Sequence, residues 1–118
     1  MATNIPGRGD LIVIDFNPQA GHEQTGRRTG IVLSPAAFNE ATGFALICPT
    51  TNQKKGYPFE VELSAAGVTV ANGSPVTGVI LVDQLKSMDW RARRIRVLGR
   101  APDEIIDDCL AKIATFLT

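Results

Sequence analysis

Histidine is nearly absent from this chain: His22 is the only one in 118 residues. A mechanism that divides acid and base roles between two imidazoles is therefore closed to a single subunit. Cysteine is almost as scarce. Cys48 and Cys109 lie far apart and outside any CxxC or Cys/His spacing, so no zinc site is expected. Cys48 falls in an apolar strand-like run and Cys109 on an apolar helix face, where both read as small core hydrophobes. There is no net charge either, because twelve basic and twelve acidic side chains cancel, and bulk charge does not announce a nucleic-acid binder. No apolar run approaches membrane-spanning length, and the opening Met1-Ala2-Thr3-Asn4-Ile5-Pro6-Gly7 lacks the basic and apolar segments of a leader. The expectation is a reduced, cytoplasmic protein without membrane association. Paired carboxylates for metal-assisted hydrolysis, a Ser-His-Asp order and a dinucleotide fingerprint are also missing, since Gly7-x-Gly9 precedes a strand instead of following one. Neither a metal nor a cofactor is expected.

What the chain does contain is a set of short apolar runs separated by polar connections. Residues 1–118 form one domain with a single modest core, free of repeats, linkers and low-complexity tracts. Asp10–Phe16 is the strongest strand, and Gly30–Leu33 reads as a second. Ser34-Pro35 offers a cap and a first-turn proline for a short helix over Ala36–Glu40, which Thr42-Gly43 ends. Strand character resumes over Phe44–Cys48, near Tyr57–Leu63, at Val79–Val82 and over Arg93–Leu98, with Val68-Thr69-Val70 a further short candidate. Pro102 opens a terminal helix with Asp103 and Glu104 in its first turn, where carboxylates complement the helix dipole. Its apolar face comprises Ile105, Ile106, Cys109, Leu110, Ile113, Phe116 and Leu117. Several short strands and one closing helix predict a small curled sheet or barrel covered by a helix.

The chain is organised around the polar stretch Gly21-His22-Glu23-Gln24-Thr25-Gly26-Arg27-Arg28 between the first two strands. Hairpin connections usually need only two to five residues or so, and a longer polar loop is costly to order. It reads either as a solvated hairpin loop or as a functional one. His22 fits a solvated position better than a catalytic one. Other polar residues fall at strand ends: Arg28 directly before the second strand, Thr51 just after the third, Gln84 after the late apolar strand. In a small barrel such ends can gather on one rim. A guanidinium fork suits phosphate oxygens and the charge of a phosphorane-like transition state. A threonine hydroxyl can hold another phosphate oxygen, and Gln24 or Gln84 can read a base edge. Spacing alone leaves Arg28 equally readable as a surface ion-pair partner.

Gly9-Asp10-Leu11-Ile12, Asp15-Phe16-x-Pro18, Gly21-x-Glu23-Gln24-x-Gly26-x-Arg28 and Val32-Leu33-Ser34 follow one another in an order that carries more than any one of them. Lys55-Gly56-Tyr57-Pro58-Phe59-Glu60-Val61 and the segment Asp83-Gln84-Leu85-Lys86-Ser87-Met88-Asp89-Trp90-Arg91-Ala92-Arg93 continue the series. From about Gly9 to the terminal helix, the sequence resembles the MazF/PemK-type toxins of bacterial toxin–antitoxin modules. The resemblance implies an SH3-like small β-barrel with a C-terminal helix, paired as a homodimer and neutralised by a cognate antitoxin protein. It further implies a sequence-specific, metal-independent endoribonuclease that cuts single-stranded RNA, chiefly mRNA. In such proteins the ribose 2′-hydroxyl attacks, leaving a 2′,3′-cyclic phosphate and a 5′-hydroxyl.

Carried onto this sequence, the family's catalytic arginine and threonine fall on Arg28 and Thr51. Its loop glutamate and glutamine fall on Glu23 and Gln24, and the glutamine after the late strand on Gln84. Arg28 is expected to stabilise the phosphorane and to relay a proton to the leaving 5′-oxygen, within a tight contact, since a free guanidinium has a pKa above about 12. Glu23 is the candidate base, with His22 a weaker alternative, and Thr51 is expected to hold a non-bridging oxygen. Gln24, Gln84, Lys54, Lys55 and His22 are expected to contact RNA, the lysines through salt-dependent backbone attraction. Lys54 and Lys55 read equally well as a solvated face.

Several readings stay open. The arginines from Arg91 to Arg100 suit an RNA groove, an acidic antitoxin tail or a plain amphipathic strand, the last being the simplest. Met88 and Trp90 suit a dimer contact, an antitoxin pocket or the core. Thr29 stands where the family usually has proline, which removes a constraint on the backbone beside Arg28. If that change spoils the loop, an inactive RNA- or antitoxin-binding relative results. A toxin of the same barrel architecture that poisons DNA gyrase is the alternative of a different class, because fold alone does not choose the site. The pair formed by Arg28 and Thr51 favours the nuclease.

Overall fold

The computed structural model describes residues 5–15, 27–63 and 77–117. Along these residues the elements are β1 (Asp10–Asp15), β2 (Arg27–Val32), α1 (Ala36–Thr42), β3 (Phe44–Thr51), β4 (Glu60–Glu62), β5 (Val79–Leu81), β6 (Lys86–Asp89), β7 (Arg96–Arg100) and α2 (Asp103–Leu117). A single 3₁₀ turn, Val82–Gln84, joins β5 to β6. The antiparallel ladder runs β4–β5–β3–β2–β1–β7, with β6 paired to β3 as well. This is the SH3-like mainly-β architecture expected from the sequence, its ladder left open between β4 and β7 among the described residues.

β3 is the hub. One edge pairs with β2, while the other is shared: Phe44–Ile47 pair with β6, and Thr50 and Thr51 pair with β5. The 3₁₀ turn between β5 and β6 therefore lies beside the end of β3. The strand's length follows from burial on both faces. Leu11, Ile31 and Cys48 stand in register across β1, β2 and β3 and share a core with Ile105, Ile106, Cys109 and Ile113 of α2. The alternate residues Ile12, Ile14, Val32, Ala45 and Ile47 point the other way and pack against Met88 and Trp90. Successive side chains of a strand alternate between faces, so a sheet buried on both sides needs unbroken apolar runs. That is why Leu11-Ile12-Val13-Ile14 and Ile31-Val32-Leu33 do not alternate with polar residues.

Trp90 and Met88 thus belong to the core, the simplest of the readings open to them. Trp90 also donates its indole N–H to the Asn39 carbonyl at 3.0 Å. Asn39 is fully buried in α1 and donates its amide to the carbonyls of Pro6 (2.7 Å) and Ser34 (3.1 Å). Both cysteines are free and buried. Desolvation pushes the Cys109 thiol up to about 12 and raises that of Cys48 further still. They pack as small hydrophobes, as expected.

The elements differ from the sequence-based ones most at β2, β3, β6 and β7, while β4 is shorter than expected and α1 longer. β2 begins at Arg27, so Arg28 lies inside the strand and not before it, paired with Ile14. β3 runs through Thr51, which is its last residue and not the one following it. β6 was not anticipated, because Lys86-Ser87-Met88-Asp89 offers one buried apolar residue and no alternation strong enough to read. β7 starts at Arg96, later than expected, since Arg94 has a positive φ of 55° and ion-pairs with Asp15 at 3.0 Å in the preceding turn. The candidate strand Val68–Val70 lies outside the described residues. Pro35 precedes α1 in extended conformation, and Gly43 ends the helix in the left-handed region with φ 75°.

Candidate functional site

Arg28 is exposed near the start of β2, and Thr51 is half-buried at the end of β3. Continuing the β2–β3 register two residues beyond the Gly30–Pro49 pair sets Arg28 opposite Thr51 and Thr29 opposite Thr50. The side chains agree with that register. The Thr29 and Thr50 hydroxyls are in direct hydrogen-bond contact, and Arg28 Nη2 donates to the Thr50 carbonyl at 3.2 Å. Neighbouring residues on an antiparallel pair are the closest side-chain partners a sheet offers. The arginine and threonine that were separated by more than twenty residues in sequence are thus cross-strand neighbours.

These two side chains, with Gln53, Lys55, Tyr57, Leu81 and Gln84, line a cleft of about 180 Å³. Leu81 and Gln84 arrive from β5 and the 3₁₀ turn, which the sharing of the β3 edge brings alongside Thr51. Gly78 makes this packing possible: its φ is 98°, and a Cβ there would collide with the Thr51 carbonyl oxygen. Gln53, Lys55 and Tyr57 come from the β3–β4 connection. The Gln53 backbone N–H donates to Thr51 Oγ1 at 3.1 Å, and the Tyr57 hydroxyl donates to the Asp83 carboxylate, 3.1 Å from each oxygen. Partial desolvation, and after it the bond to Asp83, raises the Tyr57 phenol above its ordinary value, so it stays neutral and donating at physiological pH.

Of the residues singled out in the sequence, Arg28, Thr51, Gln84 and Lys55 therefore meet in one cleft. Lys54 does not line it. Its ammonium pairs with Glu62 at 2.8 Å, a bond that raises the lysine's pKa. His22, Glu23 and Gln24 lie outside the described residues. Gln53 and Tyr57 were not singled out individually: Tyr57 was visible only as a letter of the Lys55–Val61 motif, and nothing in the type or spacing of Gln53 marked it. Among the described residues, no group of three or more His, Cys, Asp or Glu side chains is placed to hold a metal ion. No helix among them is long and apolar enough to cross a membrane.

A guanidinium, an ammonium, two hydroxyls and two amides line one cleft at the end of a small β-sheet, a class of site suited to an anionic, hydrogen-bonding ligand. Comparison with known proteins gives that class its place. The chain belongs to the PemK-like, MazF-like toxins of type II toxin–antitoxin systems, whose family model matches residues 7–117. It is 48% identical over 102 residues to the endoribonuclease toxin MazF of Escherichia coli K12, covering 86% of this chain and 85% of that protein. The crystal structure of MazF from Deinococcus radiodurans superposes with a TM-score of 0.81 at 43% identity, covering 98% of each chain. A structure of the MazE–MazF complex from the same organism gives 0.81 at 42% identity, covering 97% of each.

Proposed function

We propose that this protein is an endoribonuclease toxin that cuts single-stranded mRNA at a short sequence without a metal ion, acting as a homodimer in the cytoplasm until a cognate antitoxin neutralises it. The observation that carries this reading is the convergence of Arg28, Thr51 and Gln84, from two paired strands and the 3₁₀ turn, in one cleft. In the reaction, the ribose 2′-oxygen bonds to phosphorus as the bond from phosphorus to the 5′-oxygen breaks. Glu23 takes the 2′-hydroxyl proton. The 5′-oxygen receives a proton through its contact with the Arg28 guanidinium, and the products are a 2′,3′-cyclic phosphate and a 5′-hydroxyl.

Arg28 offers its planar fork to the charge that develops on the equatorial oxygens, a stabilisation larger in the transition state than in the bound substrate. Thr51 Oγ1 already accepts the Gln53 N–H, so its own proton is available to a non-bridging phosphate oxygen. Gln84 and Gln53 present amides able to donate and accept along a base edge, and Tyr57 presents a ring on which a base can stack. Lys55 adds backbone attraction that weakens with salt. Gln24 and His22, from the preceding loop, and Lys54, at the margin, complete the expected RNA contacts.

The test is cleavage of a long single-stranded RNA in excess EDTA by the wild-type protein and by Arg28→Ala. Discrete fragments with cyclic-phosphate ends at a common short sequence are expected from the wild type, with kcat reduced about 100- to 1,000-fold in the variant. A substrate with deoxyribose at the cut position must resist cleavage. Cutting of that substrate, or equal activity of both proteins, would refute the mechanism. No cleavage by either would redirect attention to gyrase, which a supercoiling assay reads.

A further inference from the structure

The wall of the cleft that carries Gln53, Lys55 and Tyr57 is an irregular connection, yet it is tied down by a side chain outside the cleft. Glu60, the first residue of β4, turns its carboxylate back onto this connection. Its Oε2 accepts the Lys55 backbone N–H and its Oε1 the Gly56 backbone N–H, each at 2.9 Å. Gly56 has a φ of 79°, and open space surrounds the position its Cβ would take. Successive amides beside a left-handed residue form a concavity that attracts anions, phosphate among them. Here the chain fills it with its own carboxylate. The Glu60 N–H donates in turn to the Tyr57 carbonyl at 3.3 Å, and the Glu60 backbone pairs with Leu81, itself part of the cleft lining.

We propose that Glu60 is a positioning residue for RNA binding: by occupying the paired amides of Lys55 and Gly56 it fixes the loop that presents Gln53, Lys55 and Tyr57 to the substrate. This rests on the cleft being the RNA site. Arg28 and Thr51 are held chiefly by strand pairing, with one bond from the Gln53 N–H to Thr51, so loss of the tether weakens binding and leaves the chemical step nearly intact. Two oxygens are required. Glutamine can accept only one of the two N–H bonds and turns an N–H of its own toward the other.

Two variants and two readouts test this. In Glu60→Gln, the Kd for an RNA oligonucleotide with deoxyribose at the cut position should rise about tenfold, while kcat at saturating RNA stays within about twofold of wild type. Amide exchange at Lys55 and Gly56 should accelerate in the RNA-free protein. Gly56→Ala disturbs the same amides through backbone strain alone and should reproduce the binding loss. In a Lys55→Ala background the Glu60→Gln effect on Kd should shrink, because part of what the tether positions is already gone. An unchanged Kd in both variants, a loss confined to kcat, or strictly additive effects would overturn the proposal. If the wild type binds the oligonucleotide but cuts no RNA, the nuclease reading falls while an altered Kd in Glu60→Gln still supports the tether.

Discussion

Thr29 stands beside Arg28, where the family usually has proline, and the structure gives it a partner. Its hydroxyl contacts that of Thr50, which is only 6% exposed and also lies 3.4 Å from the Thr29 carbonyl oxygen. The pair joins β2 to β3 one residue away from the Arg28 and Thr51 side chains. Thr29→Val keeps the branched shape and removes the hydroxyl. One intramolecular hydrogen bond is lost, worth about 1 kcal/mol net, and the Thr29 carbonyl remains as a substitute acceptor for Thr50, so the larger cost of a stranded buried hydroxyl is avoided. For a domain of this size that corresponds to a fall in Tm of about 4 °C. Thr50→Val should cost a similar amount, and the double variant less than the sum, with a coupling of about 0.5–1 kcal/mol. Because the pair sets how β2 meets β3 at the cleft, kcat for RNA cleavage should also fall, by about three- to tenfold. Denaturant melts of the four proteins and single-turnover cleavage provide the numbers. Additive stabilities together with unchanged kcat would refute the idea that these hydroxyls brace the site.

Gly78→Ala should destabilise the fold by about 2 kcal/mol or more and lower kcat, since the new methyl meets the Thr51 carbonyl at a backbone φ of 98°, and circular dichroism melts with the cleavage assay check both. The two thiols should resist alkylation in the native protein at pH 8 and react fully only on unfolding, as thiol titration with and without denaturant will show. Above pH 9 they should also make the fold less stable. The unfolded chain releases the Cys109 proton near its ordinary value of 9.0 whereas the folded chain holds it to about 12, so the stability present below pH 9 is lost between those values. Cys109→Ala should remove part of that alkaline slope, measured by urea melts from pH 8 to pH 10.5.

Much of the fold was legible because burial writes itself into sequence where a strand is covered on both faces. Leu11–Ile14, Ile31–Leu33 and Val79–Val82 were readable as unbroken apolar runs, and the face of α2 through its helical spacing. Elements defined by pairing and not by burial left weaker traces. β6 carries a single buried side chain in four residues, so only its partner β3 identifies it. The start of β7 is set by a left-handed Arg94, a residue type that gives no warning of positive φ. At the site, Arg28 and Thr51 emerged from the family motif and from their nearness to strand ends, although both turned out to be strand residues. Gln53 and Tyr57 escaped individual notice because what places them is a set of hydrogen bonds to Thr51, Glu60 and Asp83, and such bonds in an irregular connection leave no periodicity to detect.

The same contrast bears on how the cleft divides its work. Arg28 and Thr51 stand at the ends of strands whose remaining residues are packed on both faces, and interiors of that kind admit few alternative arrangements. The loop bearing Gln53, Lys55 and Tyr57 is packed only through Tyr57, which meets Phe59 edge-on; Gln53 and Lys55 are exposed, and the loop's shape rests on hydrogen bonds to two carboxylates and one hydroxyl. On the proposed mechanism, substitutions in the loop would alter which RNA is held with less effect on Arg28 and Thr51, whereas substitutions in β2 or β3 would disturb the paired residues directly. A toxin with that division of work could acquire a new recognition sequence through Gln53, Lys55 and Tyr57 at little cost to its fold. The cost would fall instead on the tether, because any replacement of Gly56 or Glu60 disturbs all three presented side chains at once.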